Sequence, residues 1–276
     1  MKVIKRLMVG LLLASLALVV FTLPVKAASQ ETITVATDSD TAPFTYKKDK
    51  KFDGYDIALV KAIFKESKKY KVKFETVSFS SILTGIDSGR YQLSANNFNY
   101  SKERAEKYLF SNPISKSNYA IASKKGKYKS LDDLSGKSVE VYAGSNYAAI
   151  LENWNKNHAE KTAIKIHYVA NTVTLTQRLQ NVEAGKIDFL FYDVISLQTV
   201  IKDQAINLKV TNVTNVKGKI GGEKDGLEYL LFAKDKTGEK LQTFVNKRLK
   251  ELKKAGILKK LSQQYLAGDR VSHLPY

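Results

Sequence analysis

Beyond residue 30 the chain alternates short apolar runs with segments of helical period, and few folds accommodate that alternation. Strands of four to eight apolar residues separated by helices predict parallel sheets buried on both faces. Residues 33–37 read as a buried strand, followed by a turn over 38–43. Asp53, Gly54, Tyr55 and Asp56 then precede Ile57, Val60, Ile63 and Phe64, which recur at helical spacing. Asp56 is placed to cap or enter that helix. Residues 71–78 alternate like a strand, Ile82, Leu83 and Ile86 make a short helix stopped at Ser88 and Gly89, and 91–95 is the next strand. A second unit opens with a helical turn at 131–136, a strand over 138–142, a turn at Gly144 and a helix through Trp154. It continues with a strand at 164–169, a helix at 174–184 and an apolar strand at 187–192 that ends at Asp193. Extended segments at 119–122 and 208–212 join the units, so the chain is predicted to cross between two lobes twice. The expected division is 28–117 plus 213–276 for lobe one and 118–212 for lobe two. Two closing helices, 238–252 and 257–266, each present one apolar face.

The first 27 residues stand apart. Lys2, Lys5 and Arg6 precede an apolar run from Leu7 to Leu23, and Val25 and Ala27 supply small residues before a cleavage point. This order is that of a secretory signal peptide. A retained membrane anchor is the competing reading, but the run is short of the roughly 20 residues a bilayer needs and contains Gly, Ser and Thr. The sequence has no cysteine, which excludes disulfides, zinc thiolates, a thiol nucleophile and a lipid-modified cysteine anchor. Cleavage after Ala27 removes four cations (Lys2, Lys5, Arg6, Lys26) and no anion, taking the net charge from +18 to +14. Such a chain is expected to be extracellular and held at an anionic cell surface by charge, an attraction that salt weakens. Nucleic acid is disfavoured because the lysines are spread over all the helices and form no stripe with aromatics. A basic amphipathic membrane helix at 238–266 is the rival to a core-covering role.

Ligands of open α/β sheets sit beyond the carboxyl ends of the strands. That brings the turns after Thr37, Ala95, Tyr142 and Tyr192 to one cleft. There stand Asn96, Asn97, Asn99 and Arg104, then the helix start at Gly144, Ser145 and Asn146, then Asp193. A free amino acid needs a planar bidentate donor for its carboxylate and a carboxylate for its ammonium. Free amides at a helix start also suit an anion.

The motifs resemble a known family. Pro43 and Phe44, the run from Gly54 to Leu59, Ser88 with Gly89, Ser101 to Arg104, and Phe110 with Ser111 are similar to the polar amino-acid solute-binding proteins of ATP-driven importers. Leu131 to Lys137, Gly144 with Ser145, Gly185 to Asp188, and Asp193 continue the pattern, which spans 31–266. The resemblance implies an α/β, two-lobed periplasmic-binding-protein-like fold of type II, with two parallel-rich sheets joined by a two-segment hinge. It implies no enzyme activity and no cofactor. It implies that Arg104 grips the α-carboxylate and Asp193, eight positions after Gly185, accepts from the ammonium. Ser145 and Asn146 fall where the family has two hydroxyl residues, and Asn146 departs from that. Asn97 and Asn99 match positions that bind the ligand backbone, while Asp38, Thr41, Phe79 and Tyr142 match the side-chain pocket. Thr41 is often aromatic in the family, which makes a roomier or more polar pocket. The run from Ala95 to Asn99 and the stretch from Glu103 to Ser111 look most like cystine-type receptors. The basic, cysteine-free chain also resembles the basic surface proteins of lactobacilli, a group that binds cystine and adheres to collagen or mucus.

The expectation is therefore a monomeric receptor that closes around a free amino acid, cystine favoured, and delivers it to an ABC permease. Its rivals are an enzyme and an adhesin. Against the enzyme, His158, His167 and His273 lie outside the cleft turns, and no zinc spacing or carboxylate pair stands beside Arg104.

Overall fold

The computed structural model describes residues 29–213, 216 and 224–276. One compact unit runs from Glu31 to Tyr276. The signal-peptide expectation for 1–27 lies outside the described residues.

The first sheet is built on β1 (Glu31–Thr37), whose apolar run is buried on both faces. The chain then makes a small antiparallel sheet from β2 (Asp40–Thr41), β3 (Thr45–Lys48) and β4 (Lys51–Asp53) before α1 (Tyr55–Phe64). β5 (Tyr70–Thr76), α2 (Phe79–Asp87) and β6 (Leu93–Asn99) follow, so β5, β1 and β6 lie parallel, with Val35 beside Phe74 and Leu93. After α3 (Lys102–Lys107) come the short strands β7 (Tyr108–Phe110) and β8 (Ser115–Lys116).

The chain then leaves this sheet. β9 (Tyr119–Ser123) pairs antiparallel with two later strands, β12 (Leu190–Asp193) and β13 (Lys209–Asn212). Between them, β10 (Ser138–Val141), α4 (Asn146–Asn157), β11 (Lys165–Tyr168) and α5 (Leu175–Ala184) are laid down, β10 and β11 being parallel. A parallel bridge from Val139 to Phe189 ties them to the approach of β12, and α6 (Val194–Asp203) follows β12. β14 (Leu227–Ala233) then rejoins the first sheet, antiparallel to β6, β7 and β8. The first sheet and the small β2–β3–β4 sheet thus draw on 31–116 and 227–233, and the remaining two sheets on 119–212. The parallel pairing expected for the βα units holds for β5–β1–β6 and β10–β11. The crossing strands β9, β13 and β14 enter antiparallel, because strands that carry the chain from one sheet to the other and back meet their neighbours head to tail.

The closing helices are α7 (Lys236–Lys254) and α8 (Ile257–Tyr265). Leu241, Val245, Leu249 and Leu252 repeat every three or four residues on α7 and are buried. Phe244 packs between Phe64 and Tyr70, with ring centres 5.4 and 5.1 Å away. The apolar face that a membrane would take is occupied by the core. No helix among the described residues is long and apolar enough to cross a membrane.

Two local features shape the site. Of the two roles open to Asp56, it enters the first turn of α1 while Gly54 holds the cap position, and the first amides of the helix donate to backbone, Tyr55 to Pro43 O at 3.0 Å and Asp56 to Phe44 O at 2.9 Å. Gly54 stands at φ +112°, where a Cβ would collide with Phe44 O, so only glycine fits. The other is β6, which departs from the expected strand 91–95 by running on through Asn99 although asparagine clusters favour turns. Its pairing with β14 shifts register between Tyr229 and Leu231, and beside this irregularity Asn97 takes a φ of +49°. Asparagine tolerates that conformation, and a bulge re-aims a side chain. The displaced amide of Asn97 donates to Asp56 Oδ2 at 2.9 Å. The carboxylate that the helix start does not use therefore holds the bulge.

A cleft cavity with a cationic grip

A cavity of about 510 Å³, its mouth included, opens at the carboxyl ends of β1, β6, β10 and β12. Nine residues expected at the site line it: Asp38, Thr41, Phe79, Asn97, Asn99, Arg104, Tyr142, Ser145 and Asn146. Gly144 and Asp193 do not line it, and each is placed by a specific bond.

On the first-sheet side, Asp38 follows β1 and accepts three hydrogen bonds: from Asp40 N, Thr41 Oγ1 and Asn96 Nδ2, all at 2.9 Å. Burial pushes its carboxyl pKa up, and these bonds with the charge of Arg178 pull it back. Asp40 is raised to about 6, by burial first and the charge of Asp38 second. Asn97 presents both polar atoms of its side chain, buried and with no hydrogen-bond partner. Asn99 Nδ2 reaches Leu227 O at 3.4 Å.

Arg104 sits in the short helix α3, whose start is capped by Ser101 Oγ accepting from the amide of Arg104 at 3.2 Å. Its guanidinium donates to Asn99 O at 3.1 Å and to Gly144 O, on the other side of the cavity, at 3.2 Å. No carboxylate lies within ion-pair distance of it among the described residues. Burial pulls its pKa down to about 10, so the group is desolvated yet cationic at neutral pH.

On the opposite side, Gly144 takes a φ of +73° and turns β10 into α4. Ser145 caps that helix, accepting from Ala148 N at 3.1 Å. Asn146 Nδ2 donates to Tyr119 Oη at 2.6 Å, and its buried Oδ1 has no partner. The amide at this position thus anchors to the crossing strand β9 through its nitrogen and keeps its oxygen as a separate acceptor. Asp193 lies one residue beyond the lining residue Tyr192, buried to 4% exposure. It caps α6, with Oδ1 accepting from Ser196 N at 2.8 Å. Its pKa is raised to about 6 by burial, against the bonds from Ser117, Ser196 and Ile195.

The two sides touch. Besides Arg104 and Gly144, Asn171 Nδ2 donates to Ser80 Oγ at 2.9 Å, and Phe79 stacks on Tyr142 at 6.2 Å. The Tyr142 hydroxyl donates to Val173 O at 2.7 Å, fixing its ring.

Sequence reasoning missed Arg178, which lines the cavity and is 2% exposed. Its guanidinium carbon lies 4.2 Å from the Tyr142 ring centre and 5.3 Å from that of Tyr192. A signal was present. Arg178 falls on the stripe of α5 formed by Leu175, Leu179 and Val182, so a cation occupies a core-facing helical position. The lining residues Phe98, Tyr147, Phe191 and Tyr192 carried no such mark, since apolar strand and helix positions read equally as core.

No group of acids and histidines that could hold a metal occurs among the described residues. Of the histidines, His158 stacks on Trp154 at 4.7 Å, and none lines the cavity. The arrangement offers unpaired donors, acceptors and charge around a polar solute, and no nucleophile held by a base.

Residues 33–268 match the model of the bacterial extracellular solute-binding proteins, family 3. The chain is similar to the probable amino-acid-binding protein YxeM of Bacillus subtilis (strain 168): 31% identical over 237 residues, 85% of this chain and 84% of that one. It is 29% identical over 243 residues to the L-cystine-binding protein TcyJ of the same strain, covering 87% of this chain and 85% of that one. A solved chain from work on glutathione import in Gram-positive bacteria via GshT and the cystine ABC importer TcyBC of Streptococcus mutans has a TM-score of 0.81. It shares 39% identity and covers 90% of this chain and 98% of its own. The fold is the α/β, type II periplasmic-binding-protein-like fold expected from the sequence. The chain belongs to the bacterial extracellular solute-binding proteins, family 3, and is a binding protein, not an enzyme.

Proposed function

We propose that this chain is a monomeric extracytoplasmic receptor that closes its two lobes, 28–117 plus 213–276 and 118–212, around a free amino acid and presents it to an ABC permease. Cystine is the favoured ligand. The observation that carries the reading is Arg104. A half-buried guanidinium whose hydrogen-bond partners are backbone carbonyls leaves its charge for a ligand carboxylate, and it touches both sides of the cavity. Asn97 and Asn146 add buried polar atoms that a ligand backbone would satisfy. Asp193 completes the grip: a carboxylate has lone pairs to accept an ammonium beside the amides it caps. A ligand bridging the two sides stabilises their contact, and the closed population rises with occupancy.

Cystine is favoured because the relative TcyJ is named for it and because the site holds a second cation in Arg178. Glutathione is the second ligand reading, supported by the 39% identity to the chain solved in the glutathione-import work. Retention at an anionic cell wall through the net positive charge belongs to the same proposal, and adhesion to collagen or mucus would draw on that charge too.

Calorimetry on Arg104→Ala tests the grip. Truncating one partner of a desolvated charge pair costs about 2–5 kcal/mol, roughly 30- to several-thousand-fold in affinity. Loss of that order for cystine, with the free protein melting near wild type, is expected. Unchanged affinity would remove Arg104 from the site.

A further inference from the structure

One wall of the cavity runs from one guanidinium to another through three aromatic rings. The guanidinium carbon of Arg104 lies 5.1 Å from the centre of Phe98. Phe98 stacks on Phe79 at 5.8 Å, Phe79 on Tyr142 at 6.2 Å, and Arg178 closes the row 4.2 Å from Tyr142. Both ends of the wall are cationic.

Only the Arg104 end is used by the grip described above. Arg178 is 2% exposed, its Nε is buried with no hydrogen-bond partner, and no carboxylate lies within ion-pair distance among the described residues. A buried charge without an ion pair is costly, and the more distant field of Asp38 and Asp40 with two tyrosine faces offsets only part of that cost. Packing does not require it either, since Leu175, Leu179 and Val182 share its stripe of α5 and an apolar side chain of similar length would serve the core better. The cation makes sense if an anion joins it in the cavity.

We propose that Arg178 holds a second carboxylate, so that the receptor selects solutes with an amino-acid head at the Arg104 end and a further carboxylate at the Arg178 end. This rests on the amino-acid-receptor reading, with Arg104 holding the first carboxylate. Two solutes share the chemistry. Cystine carries a second amino-acid head beyond its disulfide, and glutathione carries the carboxylate of its glycine. They differ in the second ammonium, which cystine alone would bring to Asp38 and Asp40, the acids whose field Arg178 modulates.

The test measures affinities of the full chain for L-cystine, glutathione and S-methyl-L-cysteine, which keeps the head and lacks the second carboxylate. Wild type is expected to prefer one two-carboxylate solute over S-methyl-L-cysteine by at least about 30-fold, the low end for a desolvated charge pair. Arg178→Met should abolish that preference while holding S-methyl-L-cysteine within about threefold, and Arg178→Lys should restore part of it. Thermal melts of the free Met variant confirm that it is folded before its affinities are read. Asp38→Asn separates the sources: it weakens cystine and spares glutathione. Equal losses for all three solutes on Arg178→Met would make Arg178 structural and overturn the inference. So would a wild type that binds S-methyl-L-cysteine as tightly as the others, although the amino-acid reading would then stand. Wild type binding none of the three, nor any amino acid, would sink both.

Discussion

The carboxylate of Asp193 meets the amide of Ser196 at 2.8 Å from a position 4% exposed, so its first duty is to close the start of α6. Asparagine caps helices about as well as aspartate, which lets the cap be kept while the charge is removed. Asp193→Asn is expected to leave the melting midpoint of the free protein nearly unchanged and to weaken cystine binding by at least about 30-fold. Titration calorimetry and thermal melts of the same preparation read both. An unchanged affinity would leave Asp193 as a cap alone and move the ammonium to another carboxylate of the cavity. Much of this residue-scale picture was legible in advance. Polar residues just beyond apolar strands are where α/β clefts collect their chemistry, and nine of the eleven positions named from sequence line one cavity. What stayed hidden was direction. A sequence puts Asp193 at a strand end but does not say whether its oxygens turn to the helix or to the cleft, and it marks Arg178 as a cation on an apolar stripe without saying what faces it.

At the scale of elements, sequence located the strands and helices of the βα units, because periods of two and 3.6 are local signals, but named neither the short strands β2, β3, β4, β7 and β8 nor β14 and α6. It ended β6 too early and left open whether Asp56 caps or enters α1, and both points share a cause. Each depends on a partner far along the chain: the asparagines extend as strand because β14 pairs with them, and the helix start is satisfied by carbonyls of the Pro43 and Phe44 turn. The same partners tie the elements together, since Asp56 on α1 holds the amide of Asn97 on β6. Gly54 is the point where that assembly is most exposed to change. With φ at +112° and Phe44 O where a Cβ would stand, Gly54→Ala meets backbone strain and a collision with main chain. A loss of about 2–3 kcal/mol is expected, some 4–12 °C in melting midpoint for a chain of this size. Scanning calorimetry checks it, and a midpoint within 2 °C of wild type would mean the turn relaxes freely.

The molecule as a whole carries its buried carboxylates at a cost that pH can reveal. Burial raises the pKa of Asp56 to about 7 and those of Asp40 and Asp193 to about 6, and lifts Glu228 well above the usual carboxylate range. A folded-state value above the unfolded one means the folded protein binds the proton more tightly. Stability therefore rises as pH falls through the folded values, and the gain is complete only below the unfolded value near 4. The acids held low by hydrogen bonds, among them Asp132, Asp133 and Asp188, run the other way, but their loss of stability begins only near and below pH 4. Between pH 7.5 and 5 the raised group governs. Acidification also adds positive charge to a basic chain, so the measurement belongs in moderate salt, where that repulsion is screened. Under those conditions the free protein should melt higher at pH 5 than at pH 7.5. The ligand should show the opposite trend, because protonating Asp193 neutralises the acceptor proposed for its ammonium. The thermal shift produced by a fixed cystine concentration is thus expected to shrink as the free midpoint climbs. A shift that stays constant while the midpoint rises would separate the buried acids from ligand binding and leave the ammonium to a carboxylate that remains ionised at pH 5.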